Sequence, residues 1–227
     1  MKAANHKMKI TTAIFAGCLA ALGNGTAAAA AGDLYLSIGA MSVSGPNQRD
    51  DINNKIKAQG LDANVSNYND VRHGWNMNAF LQLAPLWGVE LGYADLGEVG
   101  VQIDGVAADV DSFLNSVTDI HPVTASGTTL ALVGRRAIAP NLTLQAKGGV
   151  FMWRSSYELR GANTTKKFSA NGTGGIYGIQ LTAEIAPQIE ANLGLQVYTV
   201  EGGLNKAIGL GLTYRLPVLN ANWMIWR

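Results

Sequence analysis

From Arg72 to Tyr93 the chain alternates in character two residues at a time. Trp75, Met77, Ala79, Leu81 and Leu83 share one parity, and Asn76, Asn78, Phe80 and Gln82 the other. After a break at Ala84-Pro85-Leu86 the pattern resumes, with Trp87, Val89, Leu91 and Tyr93 against Gly88, Glu90, Gly92 and Ala94. Successive strand residues point to opposite faces, so this stretch is a β-hairpin with one apolar face and one polar or small face. Aromatic rings bound the apolar face, Trp87 beside the turn and Trp75 and Tyr93 at the far end. That arrangement suits a surface that crosses a bilayer between two headgroup layers.

The same alternation predicts six further strands. One runs over about 33–44, with Leu34, Leu36, Ile38 and Ala40 on one face. A second covers about 128–136, with Leu130 and Leu132 outward. A third, about 142–153, sets Leu142, Leu144, Ala146, Val150 and Met152 against Thr143, Gln145, Lys147 and Phe151. A fourth, about 174–185, carries Tyr177, Ile179, Leu181, Ala183 and Ile185 outward. The fifth sets Ile189, Ala191, Leu193, Leu195 and Val197 against Glu190, Asn192, Gly194 and Gln196. The last alternates Ile208, Leu210, Leu212, Tyr214 and Leu216 with Ala207, Gly209, Gly211, Thr213 and Arg215. The total is eight strands, each of roughly the length a tilted strand needs to cross a bilayer. Long connections (45–71, 96–127, 154–172) alternate with tight turns at Pro85, Pro140 and Pro187, and a moderate one spans 201–205. A short helix is expected over 51–59. Short turns on one side and long loops on the other describe an up-and-down transmembrane β-barrel, with periplasmic turns and outer loops.

The first nine residues hold Lys2, Lys7 and Lys9 and no acid; an apolar run over 10–22 and an alanine tract over 27–31 follow. This is the layout of a secretory signal peptide, with cleavage expected near Ala30 or Ala31. The domain expectation is therefore a signal peptide at 1–31, a barrel at 32–216 and a short periplasmic tail or strand extension at 217–227. Cys18, the only cysteine, follows Phe15-Ala16-Gly17 in a loose lipoprotein box but falls inside the segment to be removed. The mature chain then has no disulfide and no cysteine metal site. With the leader gone, 14 of the 17 bases remain against all 16 acids, a net charge of about −2 that gives no footprint for nucleic acid. No later apolar stretch is long enough for a spanning helix. Any membrane crossing therefore needs a closed barrel, because a bilayer offers no partner for open strand edges.

Gly88-Val89-Glu90-Leu91-Gly92-Tyr93-Ala94-Asp95-Leu96-Gly97 resembles the third-strand signature of OmpA-like outer-membrane barrels, and Gly209-Leu210-Gly211-Leu212-Thr213-Tyr214-Arg215-Leu216 resembles their closing strand. The likeness extends over the mature chain to Leu216 and is nearest to the single-domain, porin-like or opacity-type branch. Chains of this family commonly stop at a terminal aromatic, whereas here residues 217–227 continue. The resemblance implies an all-β fold in the outer membrane of a Gram-negative-type bacterium. It also implies partnership with the barrel-assembly machinery during biogenesis and with outer-membrane lipid.

No constellation for an enzyme is found. His73 shares the outward parity and His121 lies in a loop beside Pro122, neither with a Ser or acid at a telling spacing. Asp104, Asp109 and Asp111 could meet a hard cation, but not at an EF-hand spacing, and a solvated acidic loop accounts for them. No cofactor is implied. The inward charges Glu90, Arg135, Lys147, Glu184, Glu190 and Arg215 say more. A barrel of eight strands is just wide enough for side chains to fill it. Opposite charges there should pair, because a lone buried ion costs several kcal/mol. Glu90 is expected to balance Arg135 or a nearby base, with Glu184 and Glu190 competing for Arg215 and Lys147. The network reads as a structural plug, favoured by the narrow bore, or as a gated ion path. Trp75, Trp87, Tyr93, Tyr177 and Tyr214 are the expected aromatic belt. Residues 95–119 hold six acids and no base, and 154–167 four bases and one acid. Arg154, Arg160, Lys166 and Lys167 are thus candidates for lipopolysaccharide phosphates, or they simply keep a loop soluble.

The functional expectation is a non-enzymatic integral outer-membrane barrel with a charge-plugged lumen. It would serve envelope integrity or adhesion-type surface interaction with a host or surface ligand through its loops. The alternative is a porin-like channel for small solutes. A soluble lipocalin-like carrier would use the same strand count with the apolar face inside, leaving Glu90, Lys147 and Arg215 to line an apolar cup.

Overall fold

The computed structural model describes residues 31–45, 49–58, 60, 62–68, 71–99, 101–105, 125–160 and 165–216. Its elements are β1 (Leu34–Ser44), α1 (Arg49–Ala58), β2 (Ala63–Tyr68), β3 (Val71–Ala84), β4 (Trp87–Asp95), β5 (Val101–Gly105), β6 (Ser126–Ala139), β7 (Leu142–Arg160), β8 (Thr165–Ala186), β9 (Ile189–Val200) and β10 (Gly203–Leu216). Eight of the ten strands form a closed antiparallel barrel in the order β1-β10-β9-β8-β7-β6-β4-β3. Closure comes from β1, which pairs with β3 on one side and with β10 on the other, from Leu34↔Leu216 to Ser44↔Lys206. Every barrel strand therefore has two partners, and no edge is left for lipid to solvate.

The alternation read from the sequence is the alternation of exposure. Ile38, Met77, Leu91, Leu132, Leu193 and Leu210 are exposed on the outside, while Tyr35, Phe80, Glu90, Val133, Phe151 and Tyr198 are buried within. Three hairpins share one construction. Leu83-Ala84-Pro85, Ile138-Ala139-Pro140 and Ile185-Ala186-Pro187 each end a strand, and each ladder skips the aliphatic residue in a bulge. In the third, Pro187 fixes its own φ and Gln188 takes the left-handed conformation (φ 68°), as a type II turn requires. At the opposite end β9 and β10 are joined by Glu201-Gly202 alone, both with positive φ (49° and 77°), the mark of a type I′ hairpin. The expected connection over 201–205 thus shrinks to two residues.

The loop end departs from expectation in a second way. The expected loop over 154–172 is largely strand, because β7 and β8 pair without interruption out to Arg160↔Thr165. Their barrel partners stop earlier, β6 at Arg154 and β9 at the Tyr198↔Ile176 pair. A two-stranded hairpin therefore stands about 20 Å beyond Arg154 at some 3.3 Å per residue. The first two long loops meet in a sheet of their own, β2 against β5. The helix expected over 51–59 is observed as α1. It packs on that sheet through Ile52, Ile56 and Val65, all buried. The Arg49 Nε donates to the Val65 carbonyl at 2.9 Å, and the Val65 amide donates to Asn53 Oδ1 at 2.8 Å.

Candidate functional site

The lumen is filled in two tiers. Towards the turn end lie two cross-barrel ion pairs. Arg135 on β6 meets Glu190 on β9, two strands intervening, at 2.6 Å, and Lys147 on β7 meets Glu90 on β4, one strand intervening, at 2.8 Å. All four residues are buried. The Arg135 guanidinium also lies 4.2 Å from the centre of the Tyr35 ring, which packs against Phe80 at 5.7 Å. Of the partners expected for Glu90, a nearby base, Lys147, is taken and Arg135 is not, and Glu190 meets neither Arg215 nor Lys147. Register explains the exchange. Glu90 stands opposite Ala131. Arg135 is four residues nearer the turns, about 13 Å away along the strand.

Glu184 stands directly opposite Glu190 in the β8–β9 ladder. Like charges so placed repel. Glu190 turns to Arg135, while Glu184 is exposed and Arg215 half-buried at the barrel mouth. Neither Glu184 nor Arg215 forms an ion pair among the described residues, which corrects the expectation for both. Together with Tyr35, Arg135, Thr182 and Glu190 they line a cavity of about 90 Å³. A smaller cavity, about 10 Å³, lies higher between Glu90, Lys147, Gln145, Gln180 and Gln196.

Above Lys147 the lining changes to apolar. Met41, Ala94, Ala131, Phe151, Trp153, Ile176, Tyr198, Val200 and Ala207 form one buried cluster inside the bore. Phe151 and Tyr198 meet edge to face at 5.1 Å. The inward charges read from the sequence give no sign of this tier. The signal was present in Phe151, Trp153, Ile176 and Tyr198, large apolar residues out of step with the outward face. Still higher, the buried Arg72 Nη2 donates to Asn205 Oδ1 at 2.5 Å.

On the outside, Trp75 and Tyr93 stack at 5.5 Å towards the loop end, and Trp87 and Tyr214 are exposed near the turn end. The Tyr214 hydroxyl donates to Gln188 Oε1 at 2.9 Å. Tyr177 is half-buried. Arg154 is exposed where the outer hairpin leaves the barrel. Arg160, Lys166 and Lys167 occupy that hairpin, at Arg160↔Thr165, Leu159↔Lys166 and Glu158↔Lys167. His73 is exposed on the outside; His121, Asp109 and Asp111 lie outside the described residues, as does the expected signal peptide apart from Ala31. Among the described residues no three His, Cys, Asp or Glu gather as metal ligands.

A closed eight-stranded barrel with an apolar outside and a filled bore narrows the families to consider, and residues 29–215 match the OmpA-like transmembrane domain. The chain belongs to this family. OmpA-like barrels of this kind reside in the Gram-negative outer membrane, so the three proline turns face the periplasm and the β7–β8 hairpin the exterior. Among solved structures the OmpA-like chain is similar to the outer-membrane protein OprG of Pseudomonas aeruginosa. The identity is 15%, 83% of this chain and 97% of that one are covered, and the TM-score is 0.53. It is also similar to Ail, the attachment invasion locus protein of Yersinia pestis, at 14% identity, 82% and 100% coverage and a TM-score of 0.47. Ail has also been solved with the heparin analogue sucrose octasulfate. No curated protein sequence matches the chain.

Proposed function

We propose that this OmpA-like barrel is a closed-lumen, non-enzymatic protein of the outer membrane that serves envelope integrity and surface interaction. The observation that carries the reading is the filled bore, with two ion pairs spanning it and apolar side chains packed above them. In eight strands there is room for side chains or for a path, and here side chains take it. The outer hairpin supplies the contact surface. Arg154, Arg160, Lys166 and Lys167 set four bases against Glu158 from the barrel rim outward, a composition that favours lipopolysaccharide phosphates. The strand β10 is the segment offered to the barrel-assembly machinery, and Trp75, Trp87, Tyr93, Tyr177 and Tyr214 serve as the interfacial belt. The second reading, a small-solute channel, draws on the charged periplasmic cavity of about 90 Å³.

Protein purified from outer membranes and inserted in planar bilayers separates the two. The closed-lumen reading expects conductance near baseline, and large steady channels would install the diffusion channel in its place. For the surface role, replacing residues 155–169 by a two-residue turn should leave a folded barrel that binds immobilised lipopolysaccharide several-fold less. Undiminished binding would remove the hairpin from the account.

A further inference from the structure

We infer that the barrier to ions in this barrel is the apolar tier around Phe151 and Tyr198, and not the ion pairs beneath it. The inference rests on the closed-lumen reading and deepens it. The apolar tier runs round the bore on all but one strand. Seven of the eight barrel strands contribute to it, from Met41 on β1 through Ala131 on β6, Phe151 and Trp153 on β7, Ile176 on β8 and Tyr198 on β9. The eighth strand, β3, contributes Asn76, whose Nδ2 donates to Met41 Sδ at 3.3 Å. The Tyr198 hydroxyl is likewise engaged, with Gln196 Oε1 at 2.6 Å. The two rings that fill the centre are seated edge to face. Trp153 lies so close over Gly172 that a Cβ there would sit 2.6 Å from its ring. An ion entering this layer meets few polar atoms to replace its hydration shell, Thr129 Oγ1 and Trp153 Nε1 among them, and constrictions of this kind stop ions by excluding water.

The lower tier is different in kind. Arg135, Glu190, Lys147 and Glu90 offer charged partner atoms along the bore, and Gln145, Gln180 and Gln196 add amides. Both cavities lie on the periplasmic side of the apolar girdle, the lower one open to Glu184 and Arg215 at the mouth. Phe151 is four residues above Lys147 on β7, and Ala94 four above Glu90 on β4, about 13 Å along each strand, while Ala131 stands opposite Glu90 and Tyr198 bonds Gln196, so the girdle rests directly on the polar tier. The periplasmic half of the bore is therefore a blind, polar vestibule, and the girdle is its floor.

The test compares two sets of full-length variants purified from outer membranes, with folding verified by heat-modifiable gel mobility. Phe151→Ser with Tyr198→Ser should raise single-channel conductance at least tenfold over a silent wild type. Arg135→Gln with Glu190→Gln should remain within twofold of wild type. Phe151→Asn alone, which disturbs packing less, serves if the double variant does not assemble, and it should raise conductance in the same direction. Conductance from the Arg135/Glu190 variant, or silence from folded girdle variants, would overturn the inference and leave the closed-lumen reading standing. A wild type that itself conducts steadily overturns that reading and this inference with it.

Discussion

At the scale of single residues, the lumen shows how little of a side chain's role is fixed by its own position. Glu90 and Arg135 both have inward parity on neighbouring strands of the barrel, so the sequence suggests a pair. The observed partners lie farther round the bore, Lys147 for Glu90 and Glu190 for Arg135. Parity depends only on the strand's own period and is legible locally. Partner choice depends on register between strands, which is set by the whole closed sheet. Removing one member of such a pair leaves a charge in a tight space, a loss that typically costs about 3 to 5 kcal/mol. Arg135→Ala should therefore lower unfolding stability in detergent by that order, since it strands Glu190 and also empties the space over the Tyr35 ring. Arg135→Met with Glu190→Leu should recover most of it, because an apolar replacement of both partners leaves no buried charge. Urea-unfolding midpoints of the two variants measure this, and equal destabilisation would mean that the ion pair is not what holds Arg135.

Among the elements, the strands were the most legible part and the outer structures the least. Leucine and isoleucine at every second position mark the lipid face directly, because that face is apolar along the whole strand while the inner face mixes polar, small and aromatic residues. The three Leu/Ile-Ala-Pro turns were visible as prolines, and their shared bulge becomes intelligible once the ladder is seen to skip Leu83, Ile138 and Ile185. By contrast β2 carries Ala-Asn-Val-Ser-Asn-Tyr, with one aliphatic residue of any size. Its partner β5 lies beyond a full transmembrane hairpin. Nothing local announces such a pairing. The prediction at this scale concerns facing on β9. Leu193 is exposed at mid-strand, and Asn192 donates through Nδ2 to Thr213 Oγ1 at 3.0 Å inside the bore. A Lys on the lipid face at the bilayer midplane costs about 2 to 4 kcal/mol. Leu193→Lys should then reduce the heat-modifiable, assembled fraction well below that of Asn192→Lys, and equal assembly of both would contradict the assignment of faces.

For the molecule as a whole, stability and closure are the same property. An open sheet in a bilayer would leave the edges of two strands without hydrogen-bond partners, at a cost of several kcal/mol for each group. Here the closing ladder joins Leu34–Ser44 to Lys206–Leu216, and it runs the full length of β1. The sequence left the end of the last strand ambiguous, because residues 217–227 extend past the closing-strand pattern and carry Trp223 and Trp226. Among the described residues, Lys206–Leu216 already pair with β1 along its whole length. A chain truncated after Leu216 should accordingly still assemble and keep its heat-modifiable mobility. A chain truncated after Val200 removes β10 and leaves β1 and β9 with one partner each, so it should not form the compact species at all. Gel mobility of outer-membrane fractions, with and without boiling, distinguishes the two. Failure of the chain ending at Leu216 would assign part of the closing function to residues 217–227.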